Sequence, residues 1–308
     1  MNQTLDAAAC ADVLVVAITP RDSRRRVDLR GVRRNVEYLL AAGVDYIMPE
    51  CGTGLVYDAS LEEYEAVVGT FVEAAAGRAW IVPGVGPGYG RSLEMGRIAR
   101  SLAVDGVMVM PVVGPASAGG VRQGLAEICQ TVELPVVLYQ RRLDIMPVED
   151  VVELCRMDEV VGLKYAVDDL EAFRRIVDKA GASAAMVCGM AEDPATEYMQ
   201  NGAVGFSSGM ANFVPRLSLA LHRAGVAGDA DEAGRLRDLM VPFEDFRGED
   251  GARYSGSALH AAMDIAGLAG GPVIPFAEDV ASEDMGRVEA MMAHLLAAEN
   301  QLKERSAT

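Results

Sequence analysis

Lysine is nearly absent from this chain of 308 residues. Among its 28 basic residues only Lys164, Lys179 and Lys303 are lysines, and arginine carries the remaining positive charge. Histidine is equally scarce: His222, His260 and His294 all fall in the C-terminal third, on helix-like segments away from any expected strand end. That distribution argues against a histidine metal site and against a Ser-His-Asp triad, so no metal is expected. The five cysteines, Cys10, Cys51, Cys129, Cys155 and Cys188, show no CxxC spacing. A disulfide framework is therefore not expected, and the chain reads as a reduced, cytoplasmic protein. No apolar run is long enough to span a bilayer, and the first residues lack the basic-then-apolar pattern of a secretory leader. Net positive charge is missing as well. A formal charge of −17 and a pI near 4.6 argue against nucleic acid and anionic membranes as partners. They leave an anionic small molecule open, because the field inside a site can differ from that of the whole.

What is present is a repeating unit. Short apolar runs at 12–18, 44–48, 79–83, 106–110, 135–139, 160–164, 184–188 and 203–207 read as buried parallel strands. Helical patterns lie between them at 28–42, from 61 onward, and at 92–102, 121–131, 147–156, 170–180 and 194–200. Asp28 is placed to cap the first helix, and Ser60 with Glu63 forms a capping box for the second. Eight alternating units predict an α/β fold of the (β/α)8 TIM-barrel kind, spanning residues 1–225. Further helices at 230–246, 255–265 and 283–299 predict a C-terminal helical extension over 226–308. The arginines Arg21, Arg24, Arg25, Arg26, Arg30, Arg33 and Arg34 read as a solvated loop and helix face. The run Gly84-Val85-Gly86-Pro87-Gly88-Tyr89-Gly90 follows a strand but misses the GxGxxG register, and Pro87 does not suit that turn. Its glycines are expected to let backbone approach the barrel mouth.

Barrels of this kind carry function at the C-terminal ends of their strands. Those ends give Thr19, the Gly52-Thr53-Gly54 loop, Tyr139, Lys164, Gly189 and Ser207. Lys179 and Lys303 sit in polar, helix-like surroundings. Lys164 instead ends the apolar run Val160-Val161-Gly162-Leu163, where desolvation disfavours a charged amine. A neutral amine can attack a carbonyl carbon, which arginine cannot do. A tyrosine hydroxyl can relay the protons of that condensation, and a glycine-flanked threonine offers a hydroxyl and backbone N–H groups to a carboxylate. The alternative for Lys164 is a structural ion pair with Asp168 or Asp169.

These residues resemble the dihydrodipicolinate synthase / N-acetylneuraminate lyase family of class I, Schiff-base-forming aldolases. Val161-Gly162-Leu163-Lys164 is similar to its VGIK, Val136-Val137-Leu138-Tyr139 to its tyrosine-ended strand, and Gly52-Thr53-Gly54 to its GTTGE loop. Asn212-Phe213-Val214-Pro215-Arg216 resembles its NVAPR segment, and 266–273 its C-terminal helix connection. The resemblance implies that Lys164 forms a Schiff base with a 2-oxo acid, that Tyr139 relays protons and that Thr53 contacts the carboxylate. Gly52, Gly54, Arg141, Gly189 and Ser207 are the candidate substrate-binding residues. The implied reaction is aldol cleavage or condensation, or dehydration of a 2-keto-3-deoxy sugar acid. No cofactor is expected, and a homodimer or homotetramer is.

The chain also departs from the family pattern. Leu55 stands where the loop ends in glutamate, and Val112-Val113 follow Pro111 where synthases carry a tyrosine. Gln140-Arg141-Arg142-Leu143-Asp144 is shorter than the synthase segment, with Arg141 or Arg142 in place of its arginine. The short segment is closer to the sugar-acid dehydratase branch, such as 5-dehydro-4-deoxyglucarate dehydratase. The missing groups motivate a second reading, a barrel that binds a 2-oxo acid without turning it over.

Overall fold

The structure, a computed structural model, describes residues 4–306. Nine short parallel strands form one sheet in the order β3-β2-β1-β9-β8-β7-β6-β5-β4. They are β1 (Val13–Val16), β2 (Tyr46–Met48), β3 (Trp80–Ile81), β4 (Gly84–Val85), β5 (Val107–Val109), β6 (Val136–Gln140), β7 (Val160–Tyr165), β8 (Ala185–Cys188) and β9 (Gly205–Ser208). The two ends of the sheet, β3 and β4, are separated in the chain only by Val82 and Pro83. Val82 N and Gly84 N donate to Ile47 O and Pro49 O on the β2 side, at 3.0 and 3.1 Å. On the other side Asp105 N and Met108 N donate to Ile81 O and Pro83 O, at 3.1 and 2.9 Å. Residues 80–85 are therefore one stave interrupted where Pro83 has no N–H to give, and the sheet closes into an eight-stave barrel. The third expected strand, 79–83, is broken and runs on to Val85.

Eight helices follow the staves: α1 (Leu29–Ala41), α2 (Leu61–Ala75), α3 (Tyr89–Ser101), α4 (Ala118–Val132), α5 (Val148–Cys155), α6 (Leu170–Ala180), α7 (Ala195–Gln200) and α8 (Pro215–Ala227). Asp28 caps α1 through Gly31 N at 2.9 Å. Ser60 accepts from Glu63 N at 3.1 Å, but the Glu63 carboxylate turns away to Arg21, so only half of the capping box forms. That ion pair corrects one expectation. Arg21 is buried, while the other six arginines of its group are exposed. All five cysteines are free and buried.

Three more helices complete the chain: α9 (Ala230–Ala252), α10 (Ser257–Ile265) and α11 (Ser282–Ser306). α9 packs on the barrel through the Phe213–Phe243 ring contact, at 5.2 Å between centroids. Its last turn is broken: Glu249, Asp250 and Gly251 leave helical geometry, with positive φ at Asp250 and Gly251. The break turns Ala252 and Arg253 toward the open end of the barrel. α11 is fastened by Glu299, whose carboxylate accepts from Arg216 N at 3.2 Å and Leu217 N at 3.0 Å and pairs with the Arg216 guanidinium at 3.1 Å. It thus supplies the first turn of α8 with both a cap and a negative charge.

Glu299 is 3% exposed, and its removal leaves Arg216 Nη1 and the N–H groups of Arg216 and Leu217 without an acceptor, while Arg216 Nη2 keeps Ala41 O. Glu299→Ala is expected to cost about 3 kcal/mol and lower the thermal midpoint by several degrees. An unchanged midpoint in differential scanning calorimetry would contradict this attachment.

Candidate active site

β6 and β7 pair with Tyr139 directly opposite Lys164. Lys164 is 6% exposed, and its Nζ lies 4.3 Å from the centroid of the Tyr139 ring. Among the described residues no carboxylate pairs with it. Asp168 forms no ion pair with it among the described residues and Asp169 caps α6 through Ala172 N at 2.9 Å, so neither supplies that structural ion pair. On the opposite flank stands Gly189, just past β8. A Cβ there would lie 2.8 Å from Tyr165 O and 2.9 Å from Lys164 Cγ, so only glycine lets the lysine stem rise at this point.

Lys164 and Tyr139 open into a cavity of about 490 Å³, which Gly52, Thr53, Arg141, Gly189 and Ser207 also line. The N–H groups of Gly52 and Thr53 donate to no protein acceptor among the described residues. Arg141 has no ion-pair partner among them. Gly54 does not line the cavity; its backbone is tucked under the loop, where a Cβ would meet Glu50 N at 3.1 Å and Ala17 O at 3.2 Å. Thr19 is also withdrawn, its hydroxyl donating to Glu50 at 2.6 Å. None of residues 84–90 reaches the cavity. Pro87, Gly88 and Tyr89 face an outer groove with Val112 and Val113, contrary to expectation. Gly84 is required for another reason: a Cβ would lie 2.4 Å from Glu50 O.

Several lining residues escaped sequence reasoning, among them Tyr57, Glu244, Arg247, Arg253 and Phe276. Tyr57 follows the glycine loop. Its phenol is pushed above the ordinary range by desolvation at the cavity wall and by nearby Tyr139, with Arg141 opposing. The other four come from the C-terminal region, and no local pattern marks them. Arg91 on α3 holds the loop down by donating to Val56 O and Ala59 O at 3.1 and 2.8 Å.

Two buried glutamates lie close to the mouth. Glu50 is fully buried, and burial pushes it up to about 7, against the Thr19 hydrogen bond and the charge of Arg21. Glu192 is likewise pushed up to about 7 by burial and by the charge of Glu244. Its Oε1 accepts from Ser218 Oγ at 2.7 Å and from Ser208 Oγ.

The sequence profile described as "Dihydrodipicolinate synthetase family" matches residues 9–294. The chain belongs to this family. "Probable 5-dehydro-4-deoxyglucarate dehydratase 2" of Streptomyces avermitilis is 31% identical over 286 residues, covering 91% of this chain and 86% of that protein. "Probable 5-dehydro-4-deoxyglucarate dehydratase 1" of Streptomyces coelicolor is 34% identical over 251 residues, covering 79% of this chain and 78% of its own. Among solved structures, dihydrodipicolinate synthase from Bacillus clausii superposes with a TM-score of 0.88 at 29% identity, covering 95% of this chain and 98% of that one. As a member of the dihydrodipicolinate synthetase family, the protein is a lyase of the Schiff-base-forming, class I aldolase kind.

A carboxyl whose folded pKa is raised contributes stability below its ordinary range, and that contribution is lost as pH rises through the folded value. Between pH ~5 and ~8 Glu50 and Glu192 are therefore expected to make the protein less stable as pH rises, by about 2–3 kcal/mol each. Glu50→Gln should stabilise the protein at pH ~8 and remove roughly half of that slope. Denaturant midpoints across the window check this, and a slope unchanged by the substitution would contradict it.

Proposed function

We propose that this protein dehydrates a 2-keto-3-deoxy sugar acid through a Schiff base on Lys164, with 5-dehydro-4-deoxyglucarate, named for its relatives, as the first substrate to test. The observation that carries the reading is a lysine amine in register with Tyr139, at the wall of a cavity that also holds Arg141, neither of them ion-paired with a carboxylate among the described residues.

In this reading the neutral Lys164 amine attacks the C2 carbonyl. Tyr139 protonates the departing hydroxyl of the carbinolamine, and Tyr57 polarises Tyr139 from across the wall. The Thr53 hydroxyl and the free N–H groups of Gly52 and Thr53 hold the C1 carboxylate, which turns C2 toward the amine. Arg141 takes a second carboxylate at the other end of a sugar diacid. Gly189 gives the lysine passage, and Ser207 faces the substrate hydroxyls. The iminium ion then acidifies C3, and the C4 hydroxyl leaves as water. The short segment after Tyr139 and the dehydratase names of the relatives favour dehydration over aldol chemistry. We further propose a cytoplasmic homodimer or homotetramer. Exposed Tyr89 and Val113, 51% and 69% accessible on the groove shared by α3 and α4, support it, and sedimentation at micromolar concentration tests it.

Turnover of 5-dehydro-4-deoxyglucarate and a panel of 2-oxo acids, followed by NMR, is the test. Wild type should release water from the sugar acid. Lys164→Ala should lose activity by about 10³-fold or more, and Tyr139→Phe by about 10²-fold. A folded protein that binds these acids and turns over none of them would establish the non-catalytic barrel instead.

A further inference from the structure

Among the described residues that line the mouth cavity, Glu244 is the one carboxylate. It comes from α9, outside the ring of strand ends. Arg247, one turn further along, places Nη1 2.8 Å from both Glu244 oxygens, while its Nε donates to Ser255 O at 2.9 Å. The guanidinium is thus held on both edges and fixes the carboxylate in turn. A Cβ on Gly209 would lie 3.4 Å from Arg247 Nη1, so the pair rests against the end of β9, beside Ser207. The side chains of Glu244 and Arg247 keep 14% and 12% exposure, and both open on the cavity.

Glu192 lies close behind. It follows Gly189, the residue that flanks Lys164, by three positions, and its Oε2 has no hydrogen-bond partner in the protein. Its charge and that of Glu244 act on each other, and Arg247 acts on both. A carboxylate held in place by Arg247 and open on the cavity is positioned to accept and return a proton in each cycle. A pair that only pins α9 to the barrel has no need to open on the cavity.

We propose that Glu244 is the catalytic base and acid of the elimination, accepting the proton from C3 of the Lys164-bound substrate and delivering it to the hydroxyl that leaves C4. The proposal rests on the Schiff-base reading. In the first step the C3–H bond breaks. Its electrons form C2=C3, the C=N π pair returns to nitrogen, and Glu244 holds the proton. In the second step the nitrogen pair re-forms C=N, C3=C4 forms and the C4–O bond breaks. The departing oxygen takes the proton from Glu244 and leaves as water. Glu244 is again a carboxylate, and no oxidant or co-reactant is needed.

The first step can be read with pyruvate alone. The full chain is incubated with pyruvate in D2O, and loss of the methyl proton signal reports C3 exchange. In parallel, borohydride reduction and intact mass report the lysine adduct. Glu244→Gln should form the adduct to the wild-type extent and exchange about 10²-fold more slowly. Glu244→Asp, a shortened carboxylate, should recover part of the rate. Wild-type exchange in Glu244→Gln with the adduct intact would overturn the role of Glu244 and leave the Schiff base standing. Absence of the adduct in wild type would overturn both. Should Glu244→Gln lose the wild-type near-ultraviolet circular dichroism, Glu244→Asp decides: exchange at least about tenfold slower with the adduct intact supports the proposal, and an unchanged rate overturns it.

Discussion

The mouth of this barrel is organised around keeping carboxylates away from one amine. Lys164 stands 4.3 Å from the Tyr139 ring, and among the described residues no carboxylate forms an ion pair with it. Glu50 is buried against Thr19, Glu192 accepts from two serines, Glu244 is gripped by Arg247, and Asp169 caps α6. A carboxylate beside the lysine would hold it as an ammonium ion and end its use as a nucleophile. The cost falls on the glutamates, two of which are pushed up to about 7 by burial. Burial of those two carboxyl groups lowers stability as pH rises through their folded range.

The barrel itself was legible because each stave is an apolar run and each connection carries its own stop signals. Helix α6 matches its expected bounds, and all three histidines fall on helices, as their spacing suggested. Lys164 stood out because lysine is so rare here, and Tyr139 because it ends the neighbouring apolar run. The misreadings have specific causes. Arg21 looked solvated among other arginines, yet it turns inward to Glu63, forty-two positions away, which no local pattern reports. Residues 84–90 looked as though they approached the mouth, but Gly84 and Val85 complete the closing stave and Pro87, Gly88 and Tyr89 face the outer groove. Glu244, Arg247 and Arg253 reach the cavity through the packing of α9 and its break at Glu249–Gly251, a tertiary event without a sequence period.

The departures from the family pattern also acquire a physical reading. The loop after β2 carries its acid at Glu50 and an apolar Leu55 at the cavity wall. With valines at 112 and 113, the second phenol of the mouth is Tyr57, from the same loop. The helical extension brings in the cavity's carboxylate and two of its three guanidiniums. The barrel end supplies the amine, and the extension supplies charged groups to the cavity wall.

The central claim is that Lys164 is the residue that becomes covalently joined to substrate. The scarcity of lysine makes the test sharp, because Lys179 and Lys303 are the only other lysines and the α-amino terminus falls on a separate peptide. The protein is incubated with pyruvate and borohydride, cut after arginine, and its peptides are weighed. The account predicts one reduced pyruvyl group, on the peptide that contains Lys164 and on no other. Label confined to Lys179 or Lys303, or a folded protein left unlabelled by pyruvate and by longer 2-oxo acids, would contradict it.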